Sequence, residues 1–386
     1  MTTLMERDTS GKVVPGPLTW LPPDPPKKNW WALIGGPSAL LVVAAIFFLL
    51  MELPYVALQP GSADPINSLV SVPKDKAHPP KGSFLLVTVA LADKVHPLDF
   101  VRDRLDPNMQ LIKRKDLLGP STPTQYSQIA AQEMDESKQA AVVLALRTLG
   151  YPIAEHGQGA LVYAVSTGDV PVSGLLNAGD AITAIDGTAT PLMSDAISIL
   201  QKHKPGDTIA ATVVKANETT PTNVRLHFGT RNGDTCVDSA APNAAVGTGC
   251  LGVLLATKQH KFDLPFDVKI DTSGIGGPSA GLAFTLALID ELTPGELTGG
   301  HKIGVTGTID INGTVGEVGG VVQKTAAVRG AHATLFLVPP GEYKDAKKHA
   351  GKGLKVVSVT TLAEALAALQ ANGGDVPQLA VAATSK

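Results

Sequence analysis

The chain has 386 residues, a formal net charge of −3, 44% hydrophobic residues and 17% charged ones. That length accommodates two domains with appendages, and a near-neutral balance without a basic block interleaved with aromatics excludes a nucleic-acid role. The nine histidines are scattered, no C-x-x-C or H-x-x-x-H spacing occurs and no P-loop sequence is present, so the residues specify neither a metal site nor a cofactor.

The first 29 residues carry Pro15, Pro17, Pro22, Pro23, Pro25 and Pro26 and read as a disordered tail. Ala32 to Met51 is an uncharged stretch of twenty residues. At 1.5 Å per residue it spans about 30 Å, the thickness of a bilayer's hydrocarbon core. Trp30 and Trp31 stand at its start, Lys27 and Lys28 precede them, and no positive residue follows until Lys74. Residues 30–51 are therefore expected to form a transmembrane helix, with the N-terminus cytoplasmic and the remainder outside. A secretory signal peptide is the competing reading, against which stand the length of the run and the lack of a small-x-small cleavage site.

Residues 52–80, rich in proline and polar side chains, read as a linker to the first strand, Ser83 to Leu91. Further on, Asn177-Ala178-Gly179-Asp180 reads as a turn, Ala181 to Ile185 as an alternating strand and Asp186-Gly187 as a hairpin turn. Ser194 to Lys202 has a helix pattern, and Lys204-Pro205-Gly206-Asp207 turns into the strand Thr208 to Val214. Cys236 and Cys250, the only cysteines, lie in a polar Gly- and Ala-rich segment. On the side placed outside the cell they are disulfide candidates, and closing so short a loop contributes about 3 kcal/mol, mainly by restricting the unfolded chain. Two free thiols in a surface loop is the alternative.

The stretch with the most chemistry in it is Asp271 to Gly281, where Ser279 stands between Gly277-Pro278 and Ala280-Gly281 at the start of the apolar helical run Leu282 to Leu292. Ser279 is expected in the first helical turn. There the unpaired N–H groups and the positive end of the helix dipole favour the oxyanion of an acyl-transfer intermediate. A serine hydroxyl needs a base, and Lys324, which follows Gly319-Gly320 on an apolar helical pattern, is the candidate. An ordinary lysine has a pKa of about 10.4, so this one serves only if burial lowers it. The blander alternative is a helix-end lysine reaching water past an apolar face.

Gly277-Pro278-Ser279-Ala280-Gly281, then Thr306-Gly307-Thr308-Ile309, Gly313-Thr314-Val315, Gly319-Gly320 and Lys324 together resemble the proteolytic domain of Lon proteases. Glu133-Met134-Asp135-Glu136-Ser137 resembles the M-x-E-S helix in the first half of that domain. Between them, Gly159 to Val165 and Gly174 to Gly187 resemble a PDZ domain of the kind attached to bacterial proteases. The resemblance implies an α+β fold: a Lon proteolytic domain, ribosomal protein S5 domain 2-like, interrupted by a barrel-like PDZ domain and carrying one N-terminal transmembrane helix in a bacterial cell membrane. Its parts would be residues 81–152 and 236–372 for the Lon-like domain, 153–235 for the PDZ domain and 373–386 for a flexible tail.

The resemblance further implies Ser279 as nucleophile and Lys324 as general base of a Ser–Lys dyad, with Thr306 near the lysine and Gly277 and Ala280 supporting the serine. Thr306 also reads as a strand threonine that fills space. The implied enzyme is an endopeptidase working without ATP on unfolded or membrane-proximal protein substrates, as a homo-oligomer. The PDZ part would take peptide termini or strands at a sheet edge, with Gly157-Gln158-Gly159-Ala160 in the position of its carboxylate-binding loop. Two other readings stand beside this one. A catalytically silent PDZ-containing scaffold would need neither Ser279 nor Lys324, and an α/β-hydrolase would recruit Asp310 or Asp345 with His332 or His349.

Overall fold

A computed structural model describes residues 5–7, 9–15, 47–166, 172, 174–231, 249–272 and 274–377. Two sheets organise it. The first has six strands in the order Lys355–Ser358, Leu335–Val338, Lys302–Val305, Ser83–Ala92, Tyr55–Pro65 and Gln110–Lys113. The first four are parallel and the last two antiparallel to their neighbours.

Strand alternation divides its side chains between two faces. Phe84, Leu86, Ile303, Val305, Leu335 and Leu337 enter one core with the helix Gly281–Glu291. Leu85, Val87, Phe336 and Val338 enter another with Val321 and Val328 of the helix Val321–Gly330. The serine helix and the lysine helix thus lie on opposite faces of one sheet. Gly304 permits the close approach of the second: a Cβ there would fall 2.6 Å from Val328 Cγ1. The long helix Pro123–Thr148, capped by Thr122 and opened by Pro123, packs with the serine helix.

The second sheet is antiparallel, in the order Pro221–His227, Thr208–Val214, Ala181–Ile185, Ala160–Val165 and Val253–Thr257, with Thr188–Ala189 paired to Ala181–Ile185. It encloses its own core with the helix Met193–Leu200. The chain enters and leaves this unit through a two-stranded ribbon, Ala154–His156 against Lys261–Asp263. At its base Glu155 bonds both Arg147 of the long helix and His260.

Five sequence-based expectations change. The expected membrane span is corrected: among the described residues no helix is long and apolar enough to cross a membrane. Of Ala32 to Met51 the helical part described is Phe47 to Leu50, about 6 Å of helix, and residues 32–46 lie outside the described residues. The placement of the chain as a single-pass protein of a bacterial membrane, with its N-terminus cytoplasmic, falls with the helix on which it rested.

Within the tail read as disordered, Met5–Arg7 pairs with Val13–Pro15 across a turn where Gly11 takes φ 80°. The supposed linker 52–80 holds the eleven-residue strand Tyr55–Pro65. Pro60 is accommodated because the register against Ser83–Ala92 shifts between Pro60 and Ala63, where a ladder donor is dispensable, and Pro65 is the strand's last residue. The inserted unit extends past residue 235, since Val253–Thr257 completes its sheet. In the tail read as flexible, Asp375 N–H bonds the Glu296 carbonyl at 2.9 Å, which ties down residues near 373–377, whereas 378–386 lie outside the described residues.

Candidate active site

Ser279 sits in the turn before the serine helix, ahead of its N-cap Ala280, rather than in the first helical turn. The reason lies in where its carbonyl goes. A helical Ser279 would give that oxygen to the helix's own N–H groups, but here it accepts from Gly307 N–H at 2.9 Å and Thr306 Oγ1 at 3.2 Å. The first helical bond is instead Phe284 N–H to the Ala280 carbonyl at 3.0 Å. Gly277 has φ 93°, which an L side chain rarely adopts, and its N–H bonds the carbonyl of Ala130 at 2.7 Å. Ser137 Oγ donates to the carbonyl of Pro278 at 2.9 Å. The long helix therefore holds the serine loop at two points seven residues apart, two turns of one helix face.

Lys324 arrives from the other face of the sheet. It is 3% exposed and its Nζ donates to Thr306 Oγ1 at 3.0 Å. Thr306 follows the strand Lys302–Val305, is completely buried, and has its N–H bonded to the Leu337 carbonyl at 3.0 Å. The meeting point is thus the carboxyl end of the parallel strands, where side chains from both faces converge. Thr306 spends its one hydroxyl proton on the Ser279 carbonyl and accepts from the lysine, so a neutral Lys324 keeps its lone pair for another donor. Burial pushes the Lys324 ammonium down to about 8, with the Glu342 carboxylate pulling the other way.

Ser279, half-buried, and Lys324 are therefore joined through Thr306, with Gly277 and Ala280 flanking the serine. The histidines of the hydrolase alternative are not gathered here: His332 is exposed, and His349 bonds the Asp345 carbonyl at 2.8 Å. Asp310 Oδ1 accepts from the N–H groups of Asn312 and Thr314 within its own turn. Cys250 is fully buried and disulfide-bonded, while Cys236 lies outside the described residues. Among the described residues no group of three or more His, Cys, Asp or Glu side chains is placed to hold a metal ion.

Sequence reasoning passed over Ser137 as a brace, although it lies in the quoted M-x-E-S stretch. Its signal is a hydroxyl on the buried stripe of Met134, Ser137 and Ala141. Ala160–Val165 is paired on both sides, by Ala181–Ile185 and Val253–Thr257, and has no edge to offer. Val253–Thr257 is the terminal strand of the sheet, next to the helix Met193–Leu200, whose Met193 N–H bonds Thr257 Oγ1 at 3.0 Å.

Residues 218–371 match the Lon protease (S16) C-terminal proteolytic domain. The chain is 32% identical over 127 residues to the Lon protease of Phenylobacterium zucineum, covering 32% of this chain and 16% of that protein. It is 38% identical over 100 residues to the Lon protease of Mycoplasma pneumoniae, covering 24% of this chain and 12% of that one. The chain thus spans a small part of the length of the curated relatives it matches. Among solved structures, the PDZ domain of the SdrC-like protein from Listeria monocytogenes is 28% identical, covers 25% of this chain and 87% of that one, and has a TM-score of 0.20. The corresponding PDZ domain from Listeria innocua is 29% identical, with 25% and 92% coverage and the same TM-score of 0.20.

Proposed function

We propose that this Lon-type proteolytic domain is an ATP-independent serine endopeptidase that works with Ser279 and Lys324 as a dyad. The observation that carries the reading is Thr306 Oγ1, which lies 3.0 Å from Lys324 Nζ and 3.2 Å from the Ser279 carbonyl oxygen and so ties base and nucleophile together. Neutral Lys324 takes the Ser279 proton as Oγ bonds the substrate carbonyl carbon, and the carbonyl electrons move onto its oxygen. The N–H groups of Gly277, Gly281 and Leu282 are engaged with the carbonyls of Ala130, Pro278 and Gly307. Those of Ser279 and Ala280 are the donors for the oxyanion. Collapse breaks the C–N bond while Lys324 returns its proton to the leaving amine, and water activated by the same lysine then hydrolyses the ester.

The substrates proposed for this site are unfolded protein segments, whose extended backbone can reach a serine held in a turn. The second sheet supplies a docking edge: an extended peptide adds antiparallel to Val253–Thr257 beside the helix Met193–Leu200. Residues 55–149 and those from Leu264 onward build the catalytic unit around this insert, and a homo-oligomer is its working form.

The test is casein or unfolded-peptide cleavage without ATP, together with labelling by a fluorophosphonate. Wild type cleaves and is labelled at Ser279, and Ser279→Ala and Lys324→Ala do neither. A wild type that is inactive on every peptide and unlabelled at Ser279 from pH 6 to 10 overturns the reading in favour of a peptide-binding scaffold.

A further inference from the structure

One buried acid stands beside this machinery without a part in it. Glu342 is 8% exposed and follows Pro339-Pro340-Gly341 at the carboxyl end of the strand Leu335–Val338, next to the strand that leads into Thr306. Its Oε1 accepts from Val318 N–H at 2.8 Å, in the segment that enters the lysine helix. Its Oε2 is buried, and among the described residues it has no hydrogen-bond partner. A carboxylate oxygen left in that state is costly unless a charge nearby compensates it.

The groups around the lysine helix narrow the choice. Glu317 before it, Arg329 on it, Asp345 on the neighbouring helix Tyr343–His349 and Asp64 on the strand Tyr55–Pro65 are all exposed, and Tyr343 is half-buried. Ser83–Ala92, which also packs against it, carries no titratable side chain. Glu342 is the buried acid of the set, and Lys324 is the buried base.

We infer that Glu342 is a positioning residue for the dyad: it anchors the turn that aims Lys324 and supplies the counter-charge for the lysinium formed when Lys324 takes the Ser279 proton. The inference rests on the dyad reading. Its direct electrostatic support is that the Glu342 carboxylate raises the affinity of Lys324 for a proton against the effect of burial. Two opposed demands are then met. Desolvation frees the base near neutral pH, and Glu342 stabilises the cation that appears only as the reaction proceeds, which is where stabilisation accelerates the step.

Glu342→Gln separates the two roles, since an amide oxygen still accepts from Val318 N–H while the charge is gone. The fluorophosphonate labelling rate of Ser279 is followed against pH in wild type, Glu342→Gln and Glu342→Ala, and Lys324 is titrated in the same proteins by NMR of 13Cε-lysine. In Glu342→Gln the rising limb of the labelling profile moves to about tenfold higher proton concentration, the Lys324 titration moves with it, and the plateau rate falls about tenfold. Glu342→Ala shows the same displacement with a further loss of stability. A Glu342→Gln protein with the wild-type limb and the wild-type Lys324 titration overturns the inference. A displaced Lys324 titration in a protein whose Ser279 is never labelled upholds the pairing with Glu342 and overturns the dyad instead.

Discussion

Ser137 donates a 2.9 Å hydrogen bond to the carbonyl of Pro278, the residue before Ser279, across 141 positions of sequence. This contact joins the two halves of the proteolytic unit on either side of the inserted sheet. Gly281 belongs to the same junction, because a Cβ there would fall 2.7 Å from Ser137 Oγ and 2.8 Å from Ile309 Cγ2.

Gly281→Ala is accordingly expected to destabilise the protein by about 1–3 kcal/mol through overpacking and to slow Ser279 labelling. Ser137→Ala alone costs about 1 kcal/mol for the lost hydrogen bond. The double variant recovers part of the Gly281→Ala loss, because the hydroxyl in the way is removed. Urea unfolding of the three variants measures the non-additivity, and strictly additive losses contradict the proposed contact.

Thr306→Val keeps the shape of the side chain while removing both the acceptor for Lys324 Nζ and the donor to the Ser279 carbonyl. Peptide cleavage is expected to fall about 10²-fold, the scale at which a misplaced catalytic group acts, with a thermal midpoint lowered by the unmet polar groups. Thr306→Ser retains both bonds and stays within about threefold of wild type in the same steady-state assay. Equal activity in all three proteins would remove Thr306 from the site.

In the proposed dyad, Lys324 gives the activity a rising limb. With its ammonium held near 8, about a tenth of the side chain is neutral at pH 7, so the labelling rate increases with pH and levels off above about 9. The same burial destabilises the fold. Between about pH 8 and 10.5 the unfolded chain holds a proton that the folded chain has released, so stability rises with pH across that window. Lys324→Met is therefore inactive but more stable than wild type at pH 7 by about 1–3 kcal/mol, an advantage that disappears above the window. Urea midpoints at pH 7 and pH 10.5 report it directly.

Asp290, at the far end of the serine helix, is 1% exposed; one carboxylate oxygen accepts from Leu297 N–H at 2.7 Å and the other is buried, without a hydrogen-bond partner among the described residues. Burial, with Glu296 and Glu291 adding to it, pushes its pKa up to about 7. From about pH 4 to 7 the folded chain keeps a proton that the unfolded chain has lost, so this residue's contribution to stability falls as pH rises. Asp290→Asn, which keeps the bond to Leu297, is expected to be near-neutral at pH 4.5 and more stable than wild type at pH 8 by about 1–3 kcal/mol. Chemical denaturation at the two pH values checks the sign.

Local order along the chain was legible wherever one strong periodicity met a turn. Ala181–Ile185 and Thr208–Val214 run where alternation and turn residues put them, and the glycines around Ser279 mark a turn. Tyr55–Pro65 was not legible, since two prolines and a glycine read as a connection until a partner strand absorbs Pro60 and Gly61 at a register shift and pairs on to Pro65 at the strand's end.

By itself the sequence singled out the two residues of the proposed dyad: Ser279 in its glycine setting, and Lys324 on an apolar helical pattern. The tertiary structure alone decided their relation. Ser279 stops short of the helix because its carbonyl is taken by Thr306 and Gly307, and the lysine crosses from the opposite face of the sheet to the same threonine. The placement of Glu342 past the end of the strand next to the one that leads into Thr306, and the terminal position of Val253–Thr257, are likewise products of strand order. Strand order is set by burial and pairing between segments far apart in the chain, and local pattern carries no record of which distant strand becomes a neighbour.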